Sequence, residues 1–247
     1  MKLSCLPVSF FHDLCDGRMT IGEWARMAAR IGLDAIDLSI AFLPDRSPAA
    51  LARIRREVEA AGLGVTMLTS YPDFTHPDTA QRERELAQAQ QVARVAAALG
   101  ARYVRVTAGQ AHPQTPRREG IAWAVEGLTR LVETTQSFGV IHVYENHAKP
   151  YVWQFTDFSQ PPEIFLEIVH RTRDTGLGIN FDTANATAFA SDPVALLCQV
   201  VDRVQTVHAA DTAVRGALQM VLLGTGLAPF PALFACLKQA GFDGWIC

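Results

Sequence analysis

Cysteine is scarce and unpatterned in this chain: there are five (Cys5, Cys15, Cys198, Cys236 and Cys247), an odd number with no Cys-x-x-Cys pair. That speaks against a disulfide framework and a thiolate zinc site, and buried apolar thiols are expected for most of them. Positive charge is not in excess either. With 22 Lys and Arg against 25 Asp and Glu, net −3, no general attraction to nucleic-acid backbones or anionic lipid is expected. No apolar run approaches the length that spans a bilayer. The stretch Met1-Lys2-Leu3-Ser4-Cys5-Leu6-Pro7 is apolar for only a few residues and lacks a small-residue cleavage pattern, so it reads as a first strand rather than a signal peptide. Together these absences lead to the expectation of a soluble protein of a reducing, cytoplasmic compartment. A nucleotide glycine fingerprint is missing too, since the first strand leads into Val8-Ser9-Phe10-Phe11-His12.

What is present is a repeated pattern: an amphipathic helix, a glycine, then a short apolar or β-branched run. Gly32 precedes Ala35-Ile36-Asp37-Leu38, Gly62 precedes Val65-Thr66-Met67-Leu68, and Gly100 precedes Tyr103-Val104-Arg105-Val106. Gly139, Gly176 and Gly241 stand before Ile141-His142-Val143-Tyr144, Gly178-Ile179-Asn180-Phe181 and Trp245-Ile246. A glycine just past a helix is the usual left-handed stop, because no Cβ clashes there. Successive gaps are about one strand-helix unit, except the last, which is about twice that and holds the unmarked strand Val204-Gln205-Thr206-Val207-His208. With the N-terminal strand the count reaches eight, which predicts one α/β domain over 1–247, a (β/α)8 TIM barrel. As given, it lacks part of strand eight and helix eight.

Helical faces are set out by Leu51, Ile54 and Val58, by Ile121, Val125, Leu128 and Val132, and by Leu233 and Leu237. Thr20 with Glu23 fits a capping box, while Ser47-Pro48, Thr115-Pro116 and Asp192-Pro193 each read as a cap before an N1 proline. Gln81-Arg82-Glu83-Arg84-Glu85 reads as the solvated face of a helix. Two loops after strands are aromatic: one holds Tyr71, Phe74 and His76, the other Tyr151, Trp153, Phe155 and Phe158. The second, the longest connection after a strand, fits a lid over the site, and the aromatics of both loops equally fit a subunit contact.

In such a barrel the chemistry gathers at strand C-termini. Val143-Tyr144-Glu145, Phe181-Asp182 and Val207-His208 end three consecutive strands in two carboxylates and an imidazole. Converging, these three would make a mixed oxygen and nitrogen site suited to Mn2+, Mg2+, Co2+ or Zn2+. His147, two residues past Glu145, shares its face if the strand geometry persists, and would then support a ligand or bond to substrate. Asp211 is positioned to orient His208 or to cap the next segment. Gly224-Thr225-Gly226 is either a tight turn or a set of amides for phosphate. His12, Asp37, His76, His112 and Trp153 fall on or near the same rim.

The segments Tyr144-Glu145-Asn146-His147, Phe181-Asp182-Thr183-Ala184-Asn185, Val207-His208-Ala209-Ala210-Asp211, Gly224-Thr225-Gly226 and Gly241-Phe242-Asp243-Gly244-Trp245-Ile246 resemble the sugar phosphate isomerase/epimerase group of xylose-isomerase-like barrels. Apurinic endonucleases share that superfamily. The resemblance covers nearly the whole chain and is strongest from Gly139 onward. It implies a divalent metal held by a Glu, an Asp, a His and a second Glu, with the two glutamates serving as acid and base on opposite sides of a ketose or polyol. Glu145, Asp182 and His208 take the first three places. The second glutamate would follow the Gly-Trp strand, inside which the given sequence ends at Cys247. Where the ketose epimerases have a histidine, this chain has Asn185, which donates a hydrogen bond but carries no charge. The same residue breaks the endonuclease Asp-Thr-x-His pattern and, with the acidic balance, argues against DNA cleavage. Arg215 resembles a position that contacts substrate hydroxyls or oxyanions, or is an exposed loop arginine.

The expectation is a metal-dependent isomerase or epimerase of a small sugar or polyol ketone, with Glu145 moving the proton beside the carbonyl. A lyase of the inosose dehydratase or keto-sugar deglycosidase type is the rival on the same scaffold, and a noncatalytic ligand-binding or assembly barrel is the rival from another class. By analogy with such barrels, a homo-oligomer is expected.

Overall fold

The structure is a computed structural model that describes residues 1–149 and 153–247; Tyr151 lies outside the described residues. Among the described residues, ten strands run in chain order as β1 (Lys2–Leu3), β2 (Ile36–Ser39), β3 (Val65–Thr69), β4 (Tyr103–Val106), β5 (Ile141–Glu145), β6 (Gly178–Asp182), β7 (Val204–His208), β8 (Asp211–Thr212), β9 (Met220–Val221) and β10 (Trp245–Ile246). Eight form one parallel sheet in the order β1-β10-β7-β6-β5-β4-β3-β2. Across the remaining seam the backbone N–H groups of Ala35 and Asp37 donate to the carbonyls of Leu3 and Cys5 at 3.3 and 3.0 Å. The sheet thus curls until its two edges meet, as the eight expected strands require. The small antiparallel pair β8–β9, in the connection after β7, was not foreseen.

Helices cover the outside: α1 (Phe11–Cys15), α2 (Ile21–Arg30), α3 (Pro48–Ala60), α4 (Thr79–Leu99), α5 (Arg117–Thr135), α6 (Pro162–Arg171), α7 (Thr183–Phe189), α8 (Pro193–Cys198) and α9 (Phe230–Gln239). Thr20 and Glu23 form the expected capping box on α2, and Ser47 and Asp192 cap α3 and α8. Thr115 does not cap α5. Its hydroxyl donates instead to the Thr75 carbonyl at 2.8 Å, and Pro116 takes the cap position without a side-chain bond. The 81–85 run does more than meet water: Arg130 pairs with Glu83 at 2.6 Å, and the Arg82 guanidinium lies 4.0 Å from the Trp123 ring centroid, tying α4 to α5. Cys198 and Cys236 join α8 to α9 as a disulfide, while Cys5, Cys15 and Cys247 are free thiols, as expected for most of the five. Among the described residues, no helix is long and apolar enough to cross a membrane.

The helix-facing side chains form the main core, including Ile121, Leu128, Tyr144, Phe165, Phe181 and Val207. α5 and the loop after β3 approach closely at Gly127, because a Cβ there would lie 2.5 Å from Phe74 Cγ, and Phe74 is 1% exposed. Gly127→Ala is therefore expected to destabilise the protein by about 1–3 kcal/mol despite alanine's better helix propensity. Urea unfolding checks it, and an increase in stability would show that Phe74 can yield.

Side chains on a strand alternate between the helix layer and the barrel axis. On β5, Tyr144 packs on Phe165 and His142 meets Thr135 Oγ1 at 2.7 Å, both on the helix side. Ile141, Val143 and Glu145 therefore turn inward. Met67, Tyr103 and Val143, with Ile141 and Trp245 against them, form an apolar plug within the barrel. A polar layer of Arg105, Asn180 and Thr206 stands above it, one inward position further along β4, β6 and β7, and Asp182 and His208 end β6 and β7.

Burial lowers the His142 pKa from 6.5 to about 4. Between those values the unfolded chain takes up a proton that the folded chain refuses. Stability from this group is thus present above pH 6.5 and is lost as pH falls toward 4, by about 3 kcal/mol in all. Urea unfolding of native protein and His142→Gln at pH 7 and pH 5 should show a smaller loss in the variant.

Candidate active site

Strand pairing brings the three strand-end residues together. Glu145 lies opposite Asn180, and Asp182 opposite His208, in adjacent parallel pairs. His208 Nδ1 is 2.6 Å from Glu145 Oε1 and 4.0 Å from Asp182 Oδ2, and Glu145 is 1% exposed. The ligand atoms of Glu145, Asp182 and His208 all lie within 4.8 Å of one another.

Each carboxylate is held from behind. The Asn180 amide donates to Glu145 Oε1 at 2.7 Å, and its own oxygen accepts from the Thr206 hydroxyl at 2.7 Å. Asp182 Oδ1 caps α7 by accepting from Asn185 N–H at 2.7 Å. Asn146 grips the Asp182 backbone on both sides, donating to its carbonyl at 2.9 Å and accepting from its N–H at 2.8 Å. The atoms that face one another are Glu145 Oε1, His208 Nδ1 and Asp182 Oδ2, while Glu145 Oε2 pairs with the Arg105 guanidinium at 3.2 Å. Two carboxylates and an imidazole are a hard-to-borderline donor set, and these residues fit a divalent ion.

Electrostatics divides the two acids. Burial alone would raise Glu145, but the Arg105 guanidinium and the His208 ring outweigh it and hold this carboxyl below its ordinary range. Asp182 is raised, by burial and then by the negative charge of Glu145. His208 would be lowered by burial, yet Glu145 and Asp182 raise it. Burial lowers His147 to about 4, so a neutral ring stands beside an anionic Glu145 near neutral pH.

The other expected residues divide into those the fold gathers here and those it does not. His147 lies with Nε2 3.8 Å from Glu145 Oε2 and Nδ1 3.8 Å from Asp157 Oδ2, although β5 has ended two residues earlier. Trp153 and Tyr71 flank it, with ring centroids 6.3 and 6.0 Å away. Asn185 is buried on α7 and lines one small void with Asn146 and His147. His76 instead faces His112, with ring centroids 4.7 Å apart, and His112 Nε2 is 2.7 Å from Asp73 Oδ2. His12 is exposed on α1, with its ring 6.2 Å from that of Phe11. Arg215 is exposed and donates to the Ala190 carbonyl at 3.0 Å, at the end of α7.

Of the two roles expected for Asp211, the structure shows the second, holding the segment that follows. Asp211 Oδ1 accepts from the N–H groups of Thr212 and Ala228, each at 2.9 Å, and its Oδ2 from those of Gly224 and Gly226 at 3.0 and 2.9 Å. Those bonds tie down the 211–228 loop, and no bond runs to His208. They also engage the Gly224 and Gly226 amides, which removes the phosphate reading of that turn.

Sequence reasoning passed over Arg105 and Asn180. Arg105 is 2% exposed, its Nε is 3.2 Å from Glu145 Oε2, its Nη1 donates to the Ser70 carbonyl at 2.9 Å, and its guanidinium lies 4.3 Å from the Tyr71 ring centroid. The available signal was a charged residue within the apolar run Tyr103-Val104-Arg105-Val106, spaced two from an inward neighbour.

A closed parallel ring with polar groups gathered at the strand C-termini defines the class. Residues 25–247 match the family described as the xylose isomerase-like TIM barrel, and this chain belongs to it. An inosose dehydratase of Geobacillus kaustophilus (strain HTA426) is 23% identical over 278 residues, covering 99% of this chain and 85% of the relative. The structure of a probable 3-DHS dehydratase, AsbF, from Bacillus anthracis superposes with a TM-score of 0.78 at 18% identity, covering 100% of this chain and 91% of that one. D-psicose 3-epimerase from Clostridium cellulolyticum H10, solved with D-tagatose, gives 0.80 at 12% identity, covering 100% and 83%.

Proposed function

We propose that the protein is a metal-dependent isomerase or epimerase that moves the proton beside the carbonyl of a small sugar or polyol ketone. The observation that carries this reading is the convergence of Glu145, Asp182 and His208, whose ligand atoms lie within 4.8 Å of one another. These three residues would hold one divalent cation, whose charge would draw on adjacent carbonyl and hydroxyl oxygens, acidify the C–H between them and stabilise the resulting enediolate.

Glu145 is the proton acceptor. Held ionised by Arg105 and His208, it is ready as a base near neutral pH, and Asn180 fixes the direction of its Oε1. Asp182 is oriented by its cap on α7. His147 and Asn185 offer hydrogen bonds to substrate hydroxyls. Trp153 and Tyr71 keep water from the reacting face, so the intermediate has time to be reprotonated. Arg215 and His76 drop out of the substrate-binding set proposed here, since Arg215 bonds to the end of α7 and His76 packs on His112.

A second reading is favoured by the inosose dehydratase relative: the same enediolate expels a β-hydroxyl, and water leaves. Incubation in D2O with Mn2+ and a panel of ketohexoses, an inosose and 3-DHS separates the two. An epimerase returns recovered substrate and product carrying one deuteron on carbon. A dehydratase yields a product lighter by one water. Neither deuteron uptake nor water loss with any member, at full metal occupancy, would sink both readings.

A further inference from the structure

His208 also belongs to a second group of donors, which the reading above does not use. Asp37, His208 and Cys247 each offer a ligand atom, and these atoms too lie within 4.8 Å of one another. They come from β2, from the end of β7 and from the residue just past β10, while Glu145, Asp182 and His208 come from β5, β6 and β7. Two neighbouring arcs of the ring thus meet at one imidazole.

The second arc has the signs of a built site. Asp37 is 0% exposed between Ile36 and Leu38 on β2; its Oδ2 accepts from the Ser4 hydroxyl at 3.2 Å, and its Oδ1 has no hydrogen-bond partner among the described residues. His208 has its Nδ1 against Glu145, and its other ring nitrogen, Nε2, is buried and unpartnered. The Leu6 backbone N–H donates to Cys247 Sγ at 3.1 Å, while burial and the neighbouring Asp37 carboxylate push the thiol well above its ordinary range, a cost that a bound cation would relieve. Buried polar atoms in folded proteins are nearly always satisfied, so two unpartnered ones facing a thiol call for a missing partner.

We propose that Asp37, His208 Nε2 and Cys247 form a second cation site, for a thiophilic divalent ion such as Zn2+ or Co2+, with His208 as the ligand shared between two centres. Sulfur, imidazole nitrogen and carboxylate oxygen together suit tetrahedral Zn2+ or Co2+ and disfavour Mg2+ and Mn2+, which take oxygen donors. When both ions bind, the Cys247 thiol proton and the ring N–H protons of His208 pass to solvent, and the His208 imidazolate holds one ion at each nitrogen. This site goes beyond the catalytic reading and shares only His208 with it.

The test uses metal-free whole protein titrated with Co2+ alone and followed by absorption, with Zn2+ stoichiometry measured by equilibrium dialysis. Native protein should show a thiolate-to-cobalt charge-transfer band and bind two Zn2+ per chain. Cys247→Ser and Asp37→Asn should lose the band and fall to one ion, while Asp182→Asn should keep the band. Circular dichroism shows that each variant has folded, and the native band decides the matter even if one has not. One ion without the band would overturn the second site and leave the Glu145 centre standing. The band with one ion, unaffected by Asp182→Asn, would support the second site and count against the first.

Discussion

Glu145→Gln is expected to lower deuteron exchange into substrate by about 10²–10⁴-fold, the usual contribution of a positioned general base. Glutamine keeps the shape and an oxygen that can accept from Asn180, but it offers no basic lone pair and no charge to a cation. The loss should fall on kcat and on kcat/KM alike, because the proton moves only in the transition state. Measuring exchange by mass spectrometry in D2O, with the variant's metal content determined alongside, separates a lost base from a lost ligand. Exchange within a fewfold of native at full metal occupancy would show that another group takes the proton.

Arg105→Met should destabilise the fold by about 3–5 kcal/mol, the range seen when one partner of a buried ion pair is removed. Arg105 and Glu145 are 2% and 1% exposed, so neither charge can turn to water. The lower end of that range is expected, because His208 Nδ1 remains 2.6 Å from Glu145 Oε1 and supplies part of the missing positive charge. Arg105→Met with Glu145→Gln should then be less destabilising than the sum of the two single changes, since neither member of this pair is left charged without the other. Urea unfolding of the four proteins as a double-mutant cycle measures this coupling. Strict additivity would mean that the two charges do not depend on each other.

The eight-unit rhythm was legible because each glycine stop, cap and apolar run is local chemistry. So were Glu145, Asp182 and His208, since each is the polar end of a short buried run, and His147 followed from a spacing of two. Arg105 and Asn180 were passed over because they sit inside their strands rather than at the ends, where a polar residue does not announce what it faces.

By itself the sequence determined the order of strands and helices, the barrel class and the three strand-end donors, because periods of two and of three to four are written along the chain. Tertiary structure alone decided that Arg105 meets Glu145, that Asp211 ties down a loop instead of orienting His208, that Arg215 turns to the end of α7, and that Asp37 and Cys247 reach His208. Each of these is a contact between residues far apart in sequence. Curvature of the closed sheet brings them within a few ångströms, and no local pattern encodes that curvature.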